Sequence, residues 1–563
     1  MARFSASGIV RWRRPTYPLA RMARFSTLLF LKSAFLTPAR LGIGLLLTLV
    51  AGSGCGRHGA GAGVPDTLIF ARANDAQKLD PADTDDGDSV NVLTQICEGL
   101  VRFRSGTLAI EPCLAERYEI SDDGRTYTFH LRPGVRFHDG TPLTAKAAVW
   151  SFQRQMDSHH PGHIPQAAFQ YWTYLYQDIA SVDEVDPMTL AFHLSQPNSG
   201  LLSSLAIFPA FLVSPNSLTK YGADFQRHPV GTGPYRFSQW VPNQAITMEA
   251  NPEYWDAAHP PQFKRLVMKV VPENSVRLLE LETGTVHGID GIQPADVATL
   301  ARDPRFTVYR DTGLNVGYLT FNLHLERYRD PEVRLAFALA IDREQLIKLA
   351  LDGAGTVADY PIPPGFLGYP EKPDVIPHDP ARAREIFARH AAEFATPVRL
   401  HVMNAARPFF PSPERAASLI RADLEAVGLK VELVSHDFPT HLNDLRNFDF
   451  ELGIIGWVGD NGDTDNFLSV FFGSWSAEKG SATNYADYRN PEMDEALLAA
   501  RRSTVPAQRA AQYQRALALW RRDLPLIPLV HGDNIVVTRR ELTDFAIQKI
   551  GDLRLGAVGW SAP

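Results

Sequence analysis

The sequence has no apolar run long enough to carry a helix across a bilayer. Its best candidate, Leu41–Ala51, covers 11 positions, and a spanning helix needs about 20. Cysteine is scarce as well, with three (Cys55, Cys97 and Cys113) in 563 residues, too few for a disulfide-braced scaffold. Catalytic motifs are missing. There is no His-Glu-x-x-His, no Gly-x-Ser-x-Gly, and no Gly-rich phosphate loop completed by Lys and Ser/Thr, which argues against a peptidase or a nucleotide-binding enzyme. The 17 His form no cluster with metal-ligand spacing, so neither a metal nor a cofactor is expected. Acidic residues are absent before Cys55, where eight basic side chains stand. The remainder carries 48 basic against 63 acidic residues, a net of −15. Such a body repels nucleic acid and anionic membrane alike.

What is present reads as an exported, multidomain protein. The chain is too long for one core and implies two or three domains. Basic residues followed by the apolar stretch and Gly52-Ser53-Gly54-Cys55 read as an export signal over residues 1–54. Met22, followed by Arg24, is an alternative start. Cys55 suits acylation as a lipoprotein's first residue, although Gly52 stands where that pattern prefers Leu; cleavage nearby without lipid is the other reading. Residues 55–65, rich in Gly, form a tether. In an oxidising compartment Cys97 and Cys113 suggest a disulfide, with two buried thiols as the alternative. Strands are expected at Asp66–Ala73, Tyr127–Arg132 (a hairpin after Asp122-Asp123-Gly124), Thr189–Leu194 and Ile246–Glu249. Helices are expected over Pro331–Leu351, Pro413–Val427 and Pro506–Leu524, with strands Val398–Val402, Lys430–Val434 and Glu451–Gly456 between them. That order predicts an α/β second half.

The segment from Gly456 to Phe467 puts Asp460, Asp463 and Asp465, interleaved with Gly and Asn, directly after the apolar run Leu452–Val458. Carboxylates at the end of a buried strand face a cleft, because a core cannot hold them uncompensated. Trp457 either walls that cleft or belongs to the core. Asp463 and Asp465 shape the loop through its backbone N–H groups; calcium would need the EF-hand order of ligands, which is lacking.

Several long blocks resemble the solute-binding receptors of the peptide and nickel class of ABC importers, and most closely the periplasmic dipeptide-binding proteins. They include Pro112–Tyr118, Ser121–Gly140, His228–Tyr235, Asn251–Trp255, Arg334–Asp342, Asn484-Tyr485 and Asp523–Leu529. Together they cover roughly residues 66 to 545. The resemblance implies an α/β fold of two lobes with a ligand cleft between them, of the large three-subdomain type. The N-terminal lobe would take 66–312 with 109–226 inserted, the second lobe 313–532, and the tail 533–563 would return to the first lobe. Gly231-Thr232-Gly233-Pro234 is then a turn crossing between lobes.

It also implies function. A monomeric receptor outside the cytoplasmic membrane, lipid-anchored or soluble in the periplasm, would capture dipeptides or short oligopeptides and deliver them to a permease and its ATPase. Haem, glutathione, murein peptides and nickel complexes are rival solutes; a periplasmic peptidase is a remoter alternative. By resemblance Asp460 holds the ligand ammonium, Arg407 clamps its carboxylate unless it pairs with Glu414, and Phe409 lies against the ligand. Asn315 and Tyr318, in the crossover segment, would reach the cleft edge. Asn74 and Asp75 follow the first strand, where extended peptide would add as a strand; dipeptide-binding proteins carry a Gly/Ser-rich turn there instead.

Overall fold

The computed structural model describes residues 65–561. The expected export signal, Cys55 and the tether up to residue 64 lie outside the described residues. One long strand organises the rest. Leu526–Arg539 runs for 14 residues, and its two halves serve different parts of a 12-stranded mixed sheet. The first half pairs antiparallel with Asn315–Phe321; the second pairs with Phe306–Thr312 and Gly288–Ile289. Its first seven residues are all buried, as a central strand requires. Pro528 sits within it and cannot donate to the ladder, and the register shifts there, between Gly317 and Tyr318.

Strand alternation divides the N-terminal part into two cores. In Thr67–Arg72, Leu68 and Phe70 face one core together with Leu266 and Met268, while Ala71 faces another with Leu281 and Ile289. A third core covers a four-stranded antiparallel sheet built from residues 115–194. The fourth spans residues 314–530 and packs helices on strands Val398–Met403, Val431–His436 and Leu452–Val458. The hairpin forms as the sequence predicts, Thr126–Leu131 returning along Ala115–Ile120 through a turn with Gly124 at φ 67°.

One helix differs. Pro331–Leu351 is two helices, Pro331–Ala340 and Arg343–Ala350. Asp342 takes an extended conformation and its carboxylate accepts from Gln345 N, capping the second helix. Periodicity continues across such a break, so pattern alone joins the two. Gly231 and Gly233 lie against the carbonyl end of helix Gly87–Ile96, with Gly233 N donating to Ile96 O at 2.9 Å. Carbonyls repel phosphate, and the close approach explains both glycines. Among the described residues no helix is long and apolar enough to cross a membrane.

Candidate ligand cleft

Strand Leu452–Val458 ends as Gly459 N donates to Leu314 O at 2.6 Å, and helix Asp465–Phe472 begins after a short loop. The three carboxylates of this loop have different fates. Asp463 meets Arg509 Nη2 at 2.9 and 3.0 Å and also accepts from Asp465 N. Asp465 is bound by Arg501 at 2.7 Å. Asp460 has only neutral partners: Asn466 Nδ2 at 3.1 Å, with Tyr174 beside it. Burial pushes the Asp460 carboxyl above its ordinary range, against the opposing pull of these hydrogen bonds.

Asp460 lines a cavity of about 270 Å³ to which several parts of the fold contribute. Asp85 and Asp86 precede helix Gly87–Ile96 and Asn91 lies within it, while Tyr171, Phe208 and Asp552 come from later segments of the chain. Four carboxylates face this space and no Lys, Arg or His does. Asp86 is committed as the helix N-cap, accepting from Ser89 N at 2.8 Å. Asp552 pairs with Arg554 Nε at 3.3 Å through one oxygen and keeps the other buried without a partner. A field of this sign attracts a cation. An adjoining cavity of about 460 Å³ is of mixed charge, with Arg102, Arg104 and Arg554 beside Glu98, Glu111, Asp256 and Asp544; the two spaces share Thr94 and Phe211.

The other expected site residues divide sharply. Arg407 stacks on Phe438, its guanidinium 3.8 Å from the ring centroid, and forms no ion pair with a described residue. Glu414 accepts from Ser435 Oγ instead. Arg407 does not line the Asp460 cavity. Trp457 is half-buried, its ring edge-on to Phe471 and its N–H 3.4 Å from Asn466 Oδ1. Phe409 is buried under Gly456, where a Cβ would strike its ring. Asn74 is exposed, beside Asp88.

Four expectations need correction. Asp75 has no capacity left for a ligand, since Arg72, Ala76 N, Trp240 Nε1 and Asn243 N occupy its oxygens. Asn315 is spent on Gly532, giving Nδ2 to its O at 2.9 Å and accepting its N–H at 2.7 Å. Tyr318 lies in the core against Phe471 rather than at a cleft edge. Cys97 and Cys113 are free and buried: Cys97 caps its helix beside Gly231, and Cys113 Sγ points to Glu98, 3.9 Å away. Tyr171, Tyr174 and Asn466 were not among the expected site residues. Asn466 was within the acidic loop; the two tyrosines gave no sign, being nearly three hundred residues away in the chain.

Residues 109–479 match the middle region of the family 5 bacterial extracellular solute-binding proteins. Heme-binding protein A of Haemophilus influenzae is 33% identical over 482 residues, 83% of this chain and 87% of that protein. The dipeptide-binding protein of Escherichia coli is 30% identical over 504 residues, 86% of this chain and 93% of that one. Among solved structures, HbpA2 from Haemophilus parasuis superposes with a TM-score of 0.82 at 30% identity, covering 88% of this chain and all of that one. DppA from Helicobacter pylori, in complex with the peptide STSA, gives 0.72 at 27% identity, covering 89% of this chain and 99% of that one. The long shared strand, the separate cores and these likenesses agree: the chain is a two-lobed α/β binding protein of the peptide and nickel class, and it belongs to family 5 of the bacterial extracellular solute-binding proteins.

Proposed function

We propose that this receptor captures short peptides by their free ammonium group and hands them to an ABC permease. The observation that carries this reading is Asp460, a half-buried carboxylate with neutral partners only, in a cavity with four carboxylates and no basic side chain. A ligand ammonium supplies the missing countercharge, and pairing compensates an anion that its surroundings disfavour. Relatives named for dipeptide binding support the ligand class.

The haem-binding relative favours a second reading. Haem carries two anionic propionates, which four carboxylates would repel, so this cavity suits it poorly. The lobes, taken as 66–312 with the tail and 313–532, would close about the crossover where Gly313 N meets Gly532 O. Arg407, stacked but without a carboxylate partner, is the proposed clamp for the ligand carboxylate on closure. Acylation of Cys55 would hold the receptor at the outer face of the membrane.

Calorimetry with free, N-acetylated and C-amidated dipeptides tests the reading. Binding of the free form with loss on acetylation is expected. Equal affinity for all three, or haem binding that outcompetes peptide, overturns it.

A further inference from the structure

Away from the Asp460 cavity, two parallel strands and one helix bring titratable groups together. His401 lies on strand Val398–Met403 and pairs with Val434; His436 ends the neighbouring strand two residues later. Side chains two apart on a strand share a face, so His401 and His436 are diagonal neighbours. Asp437 then caps helix Phe438–Asn447, which folds back over this face and brings Asp444 to it. One ligand atom from each of His401, His436 and Asp444 lies within 4.8 Å of the others. His436 Nδ1 and an Asp444 oxygen are 2.8 Å apart.

We propose that His401, His436 and Asp444 form a binding site for a divalent transition-metal ion of the zinc type. His401 is the strongest argument. It is 3% exposed, and neither of its ring nitrogens has a hydrogen-bond partner. A polar group buried in this way costs free energy unless something satisfies it, and a metal ion accepts the lone pair that no donor meets. His441, on the same helix, likewise keeps Nδ1 buried without a partner while Nε2 meets Ile454 O at 3.1 Å. Two imidazoles and one carboxylate are a donor set for zinc and its neighbours, whereas calcium and magnesium require oxygen ligands. Bonds of about 2.1 Å in tetrahedral geometry set donors about 3.4 Å apart, between the 2.8 Å of the His436–Asp444 contact, which would open, and the 4.8 Å that bounds the group. The His436 side chain is 34% exposed and leaves an entry path. Bound metal would pin the sheet's edge strand Val431–His436 to the helix covering it. The sequence alone could not bring these residues together: they lie on three elements, and no short motif contains them.

Zinc titration by calorimetry on untagged protein tests the site, with cobalt(II) as an optical reporter. One equivalent of zinc should bind, cobalt should develop a visible d–d band, and magnesium and calcium should do neither. His436→Ala and Asp444→Asn, both at partly exposed positions, should fold as judged by circular dichroism. Each should weaken zinc binding about tenfold or more and abolish the cobalt band. Asp330→Asn with Glu332→Gln, at a second and exposed carboxylate–histidine group, should leave the stoichiometry unchanged. Binding weaker than about 100 µM, binding unaltered in the His436 and Asp444 variants, or equal response to calcium overturns the proposal. Peptide binding is measured separately, so failure here leaves the Asp460 reading untouched.

Discussion

Asn466 holds Asp460 from two sides: its Oδ1 accepts the Asp460 backbone N–H at 2.8 Å, and its Nδ2 donates to the carboxylate at 3.1 Å. The same Nδ2 meets Tyr174 OH at 3.0 Å. One neutral side chain therefore fixes the position of the loop's uncompensated acid without neutralising it.

Asp460→Ala should cost about 2–5 kcal/mol of peptide affinity, because the ligand ammonium is left buried and unpaired. The free protein should be no less stable, since the substitution removes a charge that burial disfavours. Calorimetry and thermal melting together check this; unchanged affinity would refute the assignment.

The raised carboxyl range of Asp460 gives a pH dependence of defined sign. Below that pKa the carboxyl is neutral and a bound ammonium lacks its partner. Affinity for free dipeptides should therefore strengthen as pH climbs through it and level off above. The stability of the free protein should show the opposite trend. A folded pKa above the unfolded one contributes stability at low pH that is lost as pH rises through the folded value. Asp460→Asn should flatten both profiles.

Arg407→Ala should weaken binding of free dipeptides and leave C-amidated ones unaffected, since only the former present a carboxylate. Loss of about 2–5 kcal/mol is expected for a desolvated pair. Equal effects on both ligands would make Arg407 a packing residue held by Phe438.

Asp463→Ala should behave unlike Asp460→Ala. It strands Arg509, whose side chain is 10% exposed, and removing one partner of a buried pair costs about 3–5 kcal/mol of stability. Denaturant unfolding should show the loss.

Gly532→Ala should destabilise the fold. A Cβ there falls against the Pro408 carbonyl oxygen and Phe409, and overpacking of this kind costs about 1–3 kcal/mol. A variant as stable as the parent would show that the Pro408–Phe409 segment yields freely.

Much of the fold was legible in the chain itself. The run Leu452–Val458, the hairpin around Gly124 and the Pro-initiated helices follow from local pattern, because burial period, turn chemistry and capping act within a few residues. The acidic loop was legible for the same reason. Which of its acids remains free was not. Asp463 and Asp465 are matched by Arg509 and Arg501, 46 and 36 residues further on, and nothing near the loop announces them. Asp75 and Asn315 looked available in sequence and are saturated by Trp240, Asn243 and Gly532 from distant segments. His401, His436 and Asp444 looked unrelated and converge. Local sequence determined the elements and the loop. Tertiary structure alone decided which polar groups were already satisfied, because hydrogen-bond and charge compensation in a buried site is made between residues that only folding brings together.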